Sequence, residues 1–217
     1  MSIALQDLID RVESTRARIE SQIGANAVVN IASAHFDDGG RELASLLAHS
    51  FTRSGYTTLL VEPRSSADVN YGVSAVKEID VLSKIRPARQ GVPDILRLDD
   101  VGVRSVNEVK DLYASLKSKY QVAITSQSFK QNPGLLGLAS MADVTLVSIK
   151  AGRGAKSADR ELNDLLRASQ APVLGVVLVD PAAVKAMAVL QRSEVSLIHA
   201  EQEAATARRG ALSARVG

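Results

Sequence analysis

The fold is decided by Ala27-Val-Val-Asn-Ile-Ala-Ser-Ala-His-Phe-Asp-Asp-Gly-Gly-Arg41. Residues 27–34 are apolar and β-prone, and His35 to Gly40 are rich in turn formers. Beyond the loop, Leu43, Leu46, Leu47 and Phe51 recur at helical spacing over 41–54, and Gly55 stops that helix. Tyr56-Thr-Thr-Leu-Leu-Val61 then reads as a second strand. Strand, loop, helix and strand in this order make a βαβ unit, which places its two strands parallel.

The pattern extends in both directions. Upstream, Leu5, Leu8, Ile9, Val12, Ile19 and Ile23 form an apolar stripe over 3–23, opposite Asp7, Asp10, Arg11, Glu13, Arg18 and Glu20, with Gly24 as the stop. Downstream, residues 73–80 read as a short helix, 94–98 as a strand, 105–118 as a helix, 122–125 as a strand and 135–141 as a short helix. Val144 to Ile149 is a strand, 156–169 a helix, Pro172 to Val179 a strand and 181–206 a helix, followed by a small basic tail. Strands alternating with helices, and strands that are continuously apolar, predict a mostly parallel sheet covered on both faces. The expectation is a single α/β domain over 1–217, a three-layer α/β/α sandwich. It has a helical extension at 3–23, a core at 25–180 and a C-terminal helix and tail at 181–217.

Composition narrows the function. Lys and Arg total 26 against 24 Asp and Glu, a balance that does not call for nucleic acid. There is no Trp and few other aromatics, so single-strand stacking platforms are unsupported. No cysteine is present, which excludes thiolate catalysis and Cys-ligated metals. His35, His49 and His199 lie far apart without ligand spacing, so no metal is expected. No apolar run approaches a membrane span, and the first twenty residues lack the basic and apolar regions of a signal peptide. A cytoplasmic protein without direct membrane insertion is expected.

In sheets of this kind the loop after the first strand is the default ligand site, because its amides and the following helix N-terminus favour phosphate. Position and length at His35-Phe36-Asp37-Asp38-Gly39-Gly40-Arg41 match a G-x-x-x-x-G-K-[ST] loop, but the chemistry does not. With phosphates ~5 Å away, Asp37 and Asp38 would each repel by roughly 3 kcal/mol at an effective dielectric of ~20. The Gly39-Gly40 pair also fits a tight strand-to-helix turn with Asp38 near an N-cap. Lys150-Ala-Gly-Arg153 is a basic strand-end loop facing the same cleft. Arg41, Lys150 and Arg153 are therefore the candidate anion contacts. His35 lacks an acid or nucleophile partner in the sequence, and Ser126, read at a strand end, lacks a G-x-S-x-G elbow.

On these residues the chain resembles the bacterial tyrosine kinase (BY-kinase) domain, the cytoplasmic part of polysaccharide chain-length regulators, within the deviant P-loop ATPases. Ala32-Ser-Ala-His-Phe-Asp-Asp-Gly-Gly-Arg-Glu42 stands where the family reads T-S-x-x-P-G-E-G-K-[ST]-T. Leu59-Leu-Val-Glu-Pro-Arg64 stands where it reads L-L-V-D-A-D, and Tyr120 to Phe129 replaces its third motif. Ala142-Asp-Val-Thr-Leu-Val-Ser-Ile-Lys-Ala-Gly152 and Ala171-Pro-Val-Leu-Gly-Val-Val-Leu178 match its later strands. The resemblance covers roughly 25–180. It puts Gly40 at the lysine position, Arg41 at the magnesium-binding hydroxyl, Glu62 and Arg64 at the second-motif aspartates and Ser126 at the third. Phosphoryl transfer depends on such groups for charge neutralisation. No tyrosine lies beyond Tyr120, so tail autophosphorylation is not expected.

The resemblance implies a catalytically inactive scaffold or regulator in exopolysaccharide, capsule or adhesin polysaccharide synthesis or export, without ATP or magnesium. Its implied partner is the cytoplasmic segment of a membrane polysaccharide co-polymerase or an active kinase paralogue, with a homo-oligomer as a further expectation. Such a protein would sit peripherally at the inner membrane through that partner. Leu5, Leu8, Ile9, Val12, Glu13 and Arg16 on the first helix, with the 35–41 loop, are the expected interface. Two alternatives stand beside this reading. One is a nucleotide-binding protein with a rebuilt phosphate site, and the other is a regulator of the partition-ATPase type.

Overall fold

The computed structural model describes residues 3–62, 81–97, 106–129, 136–152 and 157–180. In chain order the helices are α1 (Ile3–Glu20), α2 (Gly40–Arg53), α3 (Val106–Lys119), α4 (Leu136–Met141) and α5 (Ser157–Ala168). The strands are β1 (Ala27–Ser33), β2 (Thr58–Glu62), β3 (Asp94–Arg97), β4 (Val122–Ser128), β5 (Val144–Lys150) and β6 (Val173–Val179). Short 3-10 turns occupy Phe36–Asp38 and Val81–Lys84. The expected helices at 73–80 and 181–206 lie outside the described residues.

The six strands form one sheet in the order β3-β2-β4-β1-β5-β6. Every strand pair is parallel, where the sequence suggested mostly parallel. Adjacent residues of β1 point to opposite faces, and both faces are dry. Val29 and Ile31 pack with Val12 and Ile19 of α1 and Leu43, Leu46, Leu47 and Phe51 of α2. Val28 packs on the other face with Leu59, Val61, Leu96 and the α3 residues Val109, Leu112 and Leu116. Ala32 and Ala34 meet Ala139, Ala158, Leu162 and Leu166 of α4 and α5 on that same second side. Side chains such as Phe51, Leu47 and Ile31 are fully buried. Each contributes roughly 1.5–3 kcal/mol of transfer free energy.

This layering positions the site. From β1 the chain enters α2 on one face, and from β4 it enters α4 on the other, while β1 and β4 are neighbours. The two connections diverge at their C-terminal ends. That divergence is the topological switch point at which open α/β sheets bind ligands.

β4 corrects an expected boundary. It runs past Thr125 to Ser128, because its ladder with β1 continues through Ile31–Ser126 and Ser33–Ser128. At the far edge, β6 is apolar yet keeps Val176 and Leu178 exposed.

Candidate functional site

The loop between β1 and α2 is a closed turn rather than an open cradle. His35 is extended, and its N–H donates to the Asp38 carboxylate at 2.9 Å, while Asp38 N–H donates back to the His35 carbonyl at 3.2 Å. Asp38 is fully buried, so this reciprocal pair caps the 3-10 turn. The N-cap of α2 itself is Gly39, not Asp38. Gly39 has φ +75°, a left-handed conformation that glycine adopts without strain. A Cβ there would lie 2.5 Å from Val179 Cγ1, which presses the turn against the end of β6.

The two exposed members of the loop behave differently. Phe36 is half-exposed at its tip. Asp37 faces Lys150 at the end of β5, with Nζ 3.6 Å from the carboxylate. Slight burial raises the Asp37 carboxyl, but its own backbone amide and the Lys150 ammonium outweigh that and hold it below the usual carboxylate value. Arg41 reaches the other way, to Glu62 at the end of β2, at 3.7 Å. Glu62 also accepts from Arg97 Nε at 3.1 Å, across a register pair at the ends of β2 and β3. Both expected anion contacts among the described residues thus lie against carboxylates. Arg64 and Arg153 lie outside the described residues.

Beneath the loop the three central strands turn polar. Ser33, Ser128 and Ser148 stand side by side in register on β1, β4 and β5, with Ser126 two residues earlier. All four are buried. Ser33 Oγ donates to the Gln127 carbonyl at 3.2 Å, whereas the hydroxyls of Ser126, Ser128 and Ser148 have no hydrogen-bond partner among the described residues. On the opposite face Thr125 Oγ1 donates to Asn30 Oδ1 at 3.0 Å, and Asn30 Nδ2 finds no acceptor among the described residues. Buried polar atoms without partners are rare and costly, so their concentration at the switch point marks it as the candidate site. Ser126 sits inside β4, not at a strand end, because the ladder carries two more residues. Its backbone is fixed by pairing with Ile31, so it lacks the exposed turn of a nucleophile elbow.

No protein-family model matches the chain, and no curated protein matches it. Solved structures do. The kinase domain of the Escherichia coli tyrosine kinase ETK is similar with a TM-score of 0.62 at 15% identity, covering 79% of this chain and 75% of that one. The kinase domain of VpsO matches at 0.55 and 18% identity, covering 80% and 98%. A plasmid partition protein from Borrelia burgdorferi matches at 0.50 and 14%, covering 71% and 78%. The fold is that of the bacterial tyrosine kinase domains and the ParA-type ATPases.

On this fold Gly40 takes on meaning. It stands where the resemblance places a lysine, and a Cβ on it would lie 2.8 Å from Ser148 Oγ and 3.4 Å from Ser33 Oγ. The first residue of α2 is pressed onto the serine row, so a side chain at position 40 would have to displace the Ser148 hydroxyl. The sequence alone does not single out this row or Arg97. Alternating serines in β-prone runs carry no motif, and only strand register brings them together.

The α1 stripe is used within the chain. Val12 is buried in the α1–α2 core, and Leu8 and Ile9 pack partly against it. Glu13 accepts from Ser50 Oγ of α2 at 2.7 Å, and Arg16 holds both Glu13 and Glu20. Val12, Glu13 and Arg16 of the expected interface thus make contacts within the chain, while the Glu13 side chain stays 37% exposed. The side chain of Leu5 lies outside the described residues.

Proposed function

We propose that the chain is a non-catalytic, BY-kinase-like scaffold or regulator in bacterial surface-polysaccharide synthesis or export, acting through protein–protein contact. The observation that carries the reading is Gly40. The lysine position is filled by a glycine whose Cβ direction is blocked by Ser148 at 2.8 Å. The nearby ammonium, Lys150, faces Asp37 at 3.6 Å rather than an open cradle, and phosphoryl transfer has little to draw on besides such charges. The related fold of the ETK and VpsO kinase domains supports the comparison with kinases. The partner in this reading is the cytoplasmic segment of a membrane polysaccharide co-polymerase or an active kinase paralogue. In this reading the partner holds the chain at the inner face of the membrane; no described helix is long and apolar enough to cross one.

Incubating the purified protein with Mg-ATP tests the reading. Phosphate release and protein phosphorylation should both stay at the buffer blank. The Gly40→Lys variant should also stay inactive, because the added side chain meets Ser148 rather than an open cradle. Saturable hydrolysis by the wild type would overturn the proposal and favour a rebuilt phosphate site.

A further inference from the structure

Among the described residues, β6 is packed on one face and bare on the other. Its register with β5 pairs Val173 with Thr145, Val176 with Val147 and Leu178 with Ile149. Register partners share a face of the sheet. That face is the α4–α5 side, because Thr145 Oγ1 donates to the Ala139 carbonyl of α4 at 3.2 Å and Val147 packs with the α4–α5 cluster. A register shift between Thr145 and Leu146 brings Val173, three residues before Val176, onto the same side. Val173, Val176 and Leu178 are 45%, 59% and 66% exposed. On the other face Leu174 and Val177 pack against the α1–α2 core, and Val179 is buried in it.

Parallel sheets are covered on both faces, and an apolar edge strand left open invites pairing with other chains. The chain itself supplies a fitting cover. Residues 181–206, which the sequence reads as a helix, follow β6 directly. Pro181 suits a first helical turn. Val184, Met187, Ala188, Val195 and Ile198 fall on one side of a 3.6-residue repeat, interrupted by Gln191. Lys185 and Arg192 fall roughly a quarter-turn or more away from that side. The lengths agree as well. Val173 to Leu178 spans about 16 Å of strand, and Val184 to Val195 spans about 16 Å of helix. A helix running back along β6 therefore sets Val184 beside Leu178 and Val195 beside Val173.

We propose that the chain's own segment 184–198 docks as a helix on the Val173, Val176 and Leu178 face of β6 and closes the outer layer at the sheet edge. The tether favours this occupant over a second copy, because a segment joined to the end of β6 is present at an effective concentration on the order of millimolar. The inference does not depend on the non-catalytic reading. Hydrolysis of ATP by the wild type would leave it untouched, and its failure would leave the hydrolysis test untouched.

The chain has no cysteine, so introduced pairs report without background. The test is mild oxidation of the full chain carrying Val173→Cys with Val195→Cys, read on a non-reducing gel. This pair should form a disulfide within one chain roughly tenfold faster than Val173→Cys with Arg192→Cys, whose second position turns away from the strand. Adding Val176→Asp to the first pair should slow it to the rate of the second. Circular dichroism and thermal melting of each variant separate a lost contact from a lost fold. Equal rates for the two pairs, or a first pair that is indifferent to Val176→Asp, overturn the proposal. So does a disulfide-linked dimer of Val173→Cys alone that outpaces the intrachain bond, which would make a second copy the occupant.

Discussion

The N-terminal and C-terminal halves of the same strands are built on opposite rules. In β1, Ala27-Val-Val is apolar and packed on both faces, whereas Asn30, Ser33 and the neighbouring Thr125, Ser126 and Ser128 of β4 are polar and just as buried. β5 changes later, with Val144 and Leu146 in the core and Ser148 in the polar row. The first half stabilises the fold by removing methyl groups from water. The second half works against it, because three serine hydroxyls and the Asn30 amide are dehydrated without a partner among the described residues. A sheet selected for stability alone would carry Val or Ala there. The contrast teaches that burial alone does not stabilise the switch-point rim, where small hydroxyl residues lie against Gly40 of α2.

The sharpest break of this contrast is at the seam between loop and sheet. Gly39→Ala would add a Cβ 2.5 Å from Val179 and force alanine into a left-handed conformation. The expected loss is roughly 2–4 kcal/mol from strain and overpacking together, read from the urea midpoint. A loss below about 1 kcal/mol would mean that the turn can lift off β6, and that the loop is less closed than its hydrogen bonds indicate.

Next come two single-atom tests inside β4. Thr125→Val removes the donor to the buried Asn30 Oδ1 and should cost about 1–3 kcal/mol. Ser126→Ala, one residue on, deletes a hydroxyl that already lacks a partner among the described residues. Its effect should fall within about 0.5 kcal/mol, or stabilise. Equal losses at the two positions would show that Ser126 has a partner in solution, which would weaken the distinction between the satisfied and unsatisfied rim.

Much of the framework is legible in the residue pattern. Leu43, Leu46, Leu47 and Phe51 at helical spacing locate α2 to within a residue, because a 3.6-residue period has one structural meaning. The parallel sheet follows from continuous apolar runs separated by helices. The site is legible only as a place. Loop position after β1 follows from topology, but that the His35 amide is taken by the Asp38 carboxylate is a local contact no motif in the sequence announces. The 126–128 extension of β4 escapes the sequence because Ser-Gln-Ser has no strand propensity, and pairing with β1 overrides it. The α1 stripe is visible, but a stripe alone does not say whether it faces a partner or its own α2.

The smallest effect comes from the satisfied side of the comparison and sets its baseline. His49 of α2 is partly buried. Burial lowers its pKa, and Arg53 adds to that, while the hydrogen bond to the Ser45 carbonyl at 2.8 Å opposes them without reversing the direction. A histidine whose folded pKa lies below the ordinary 6.5 contributes stability that is complete above that value. The contribution is lost as pH falls from there toward the folded value. For Glu13, desolvation raises the carboxyl, but the Ser50 hydroxyl, Arg16 and Arg53 together bring it below its ordinary 4.5. Its contribution is therefore complete above 4.5 and lost as pH falls through the lowered value, in a more acidic window. Because Glu13 is partly exposed, its share should be only a few tenths of a kcal/mol. The melting temperature should thus decline in two steps on acidification. His49→Gln should flatten the upper step and Glu13→Gln the lower, while Ser126→Ala leaves both in place. If Ser126→Ala instead moved either step, the polar rim would be coupled to the α1–α2 layer, and the two halves of the sheet would not be independent.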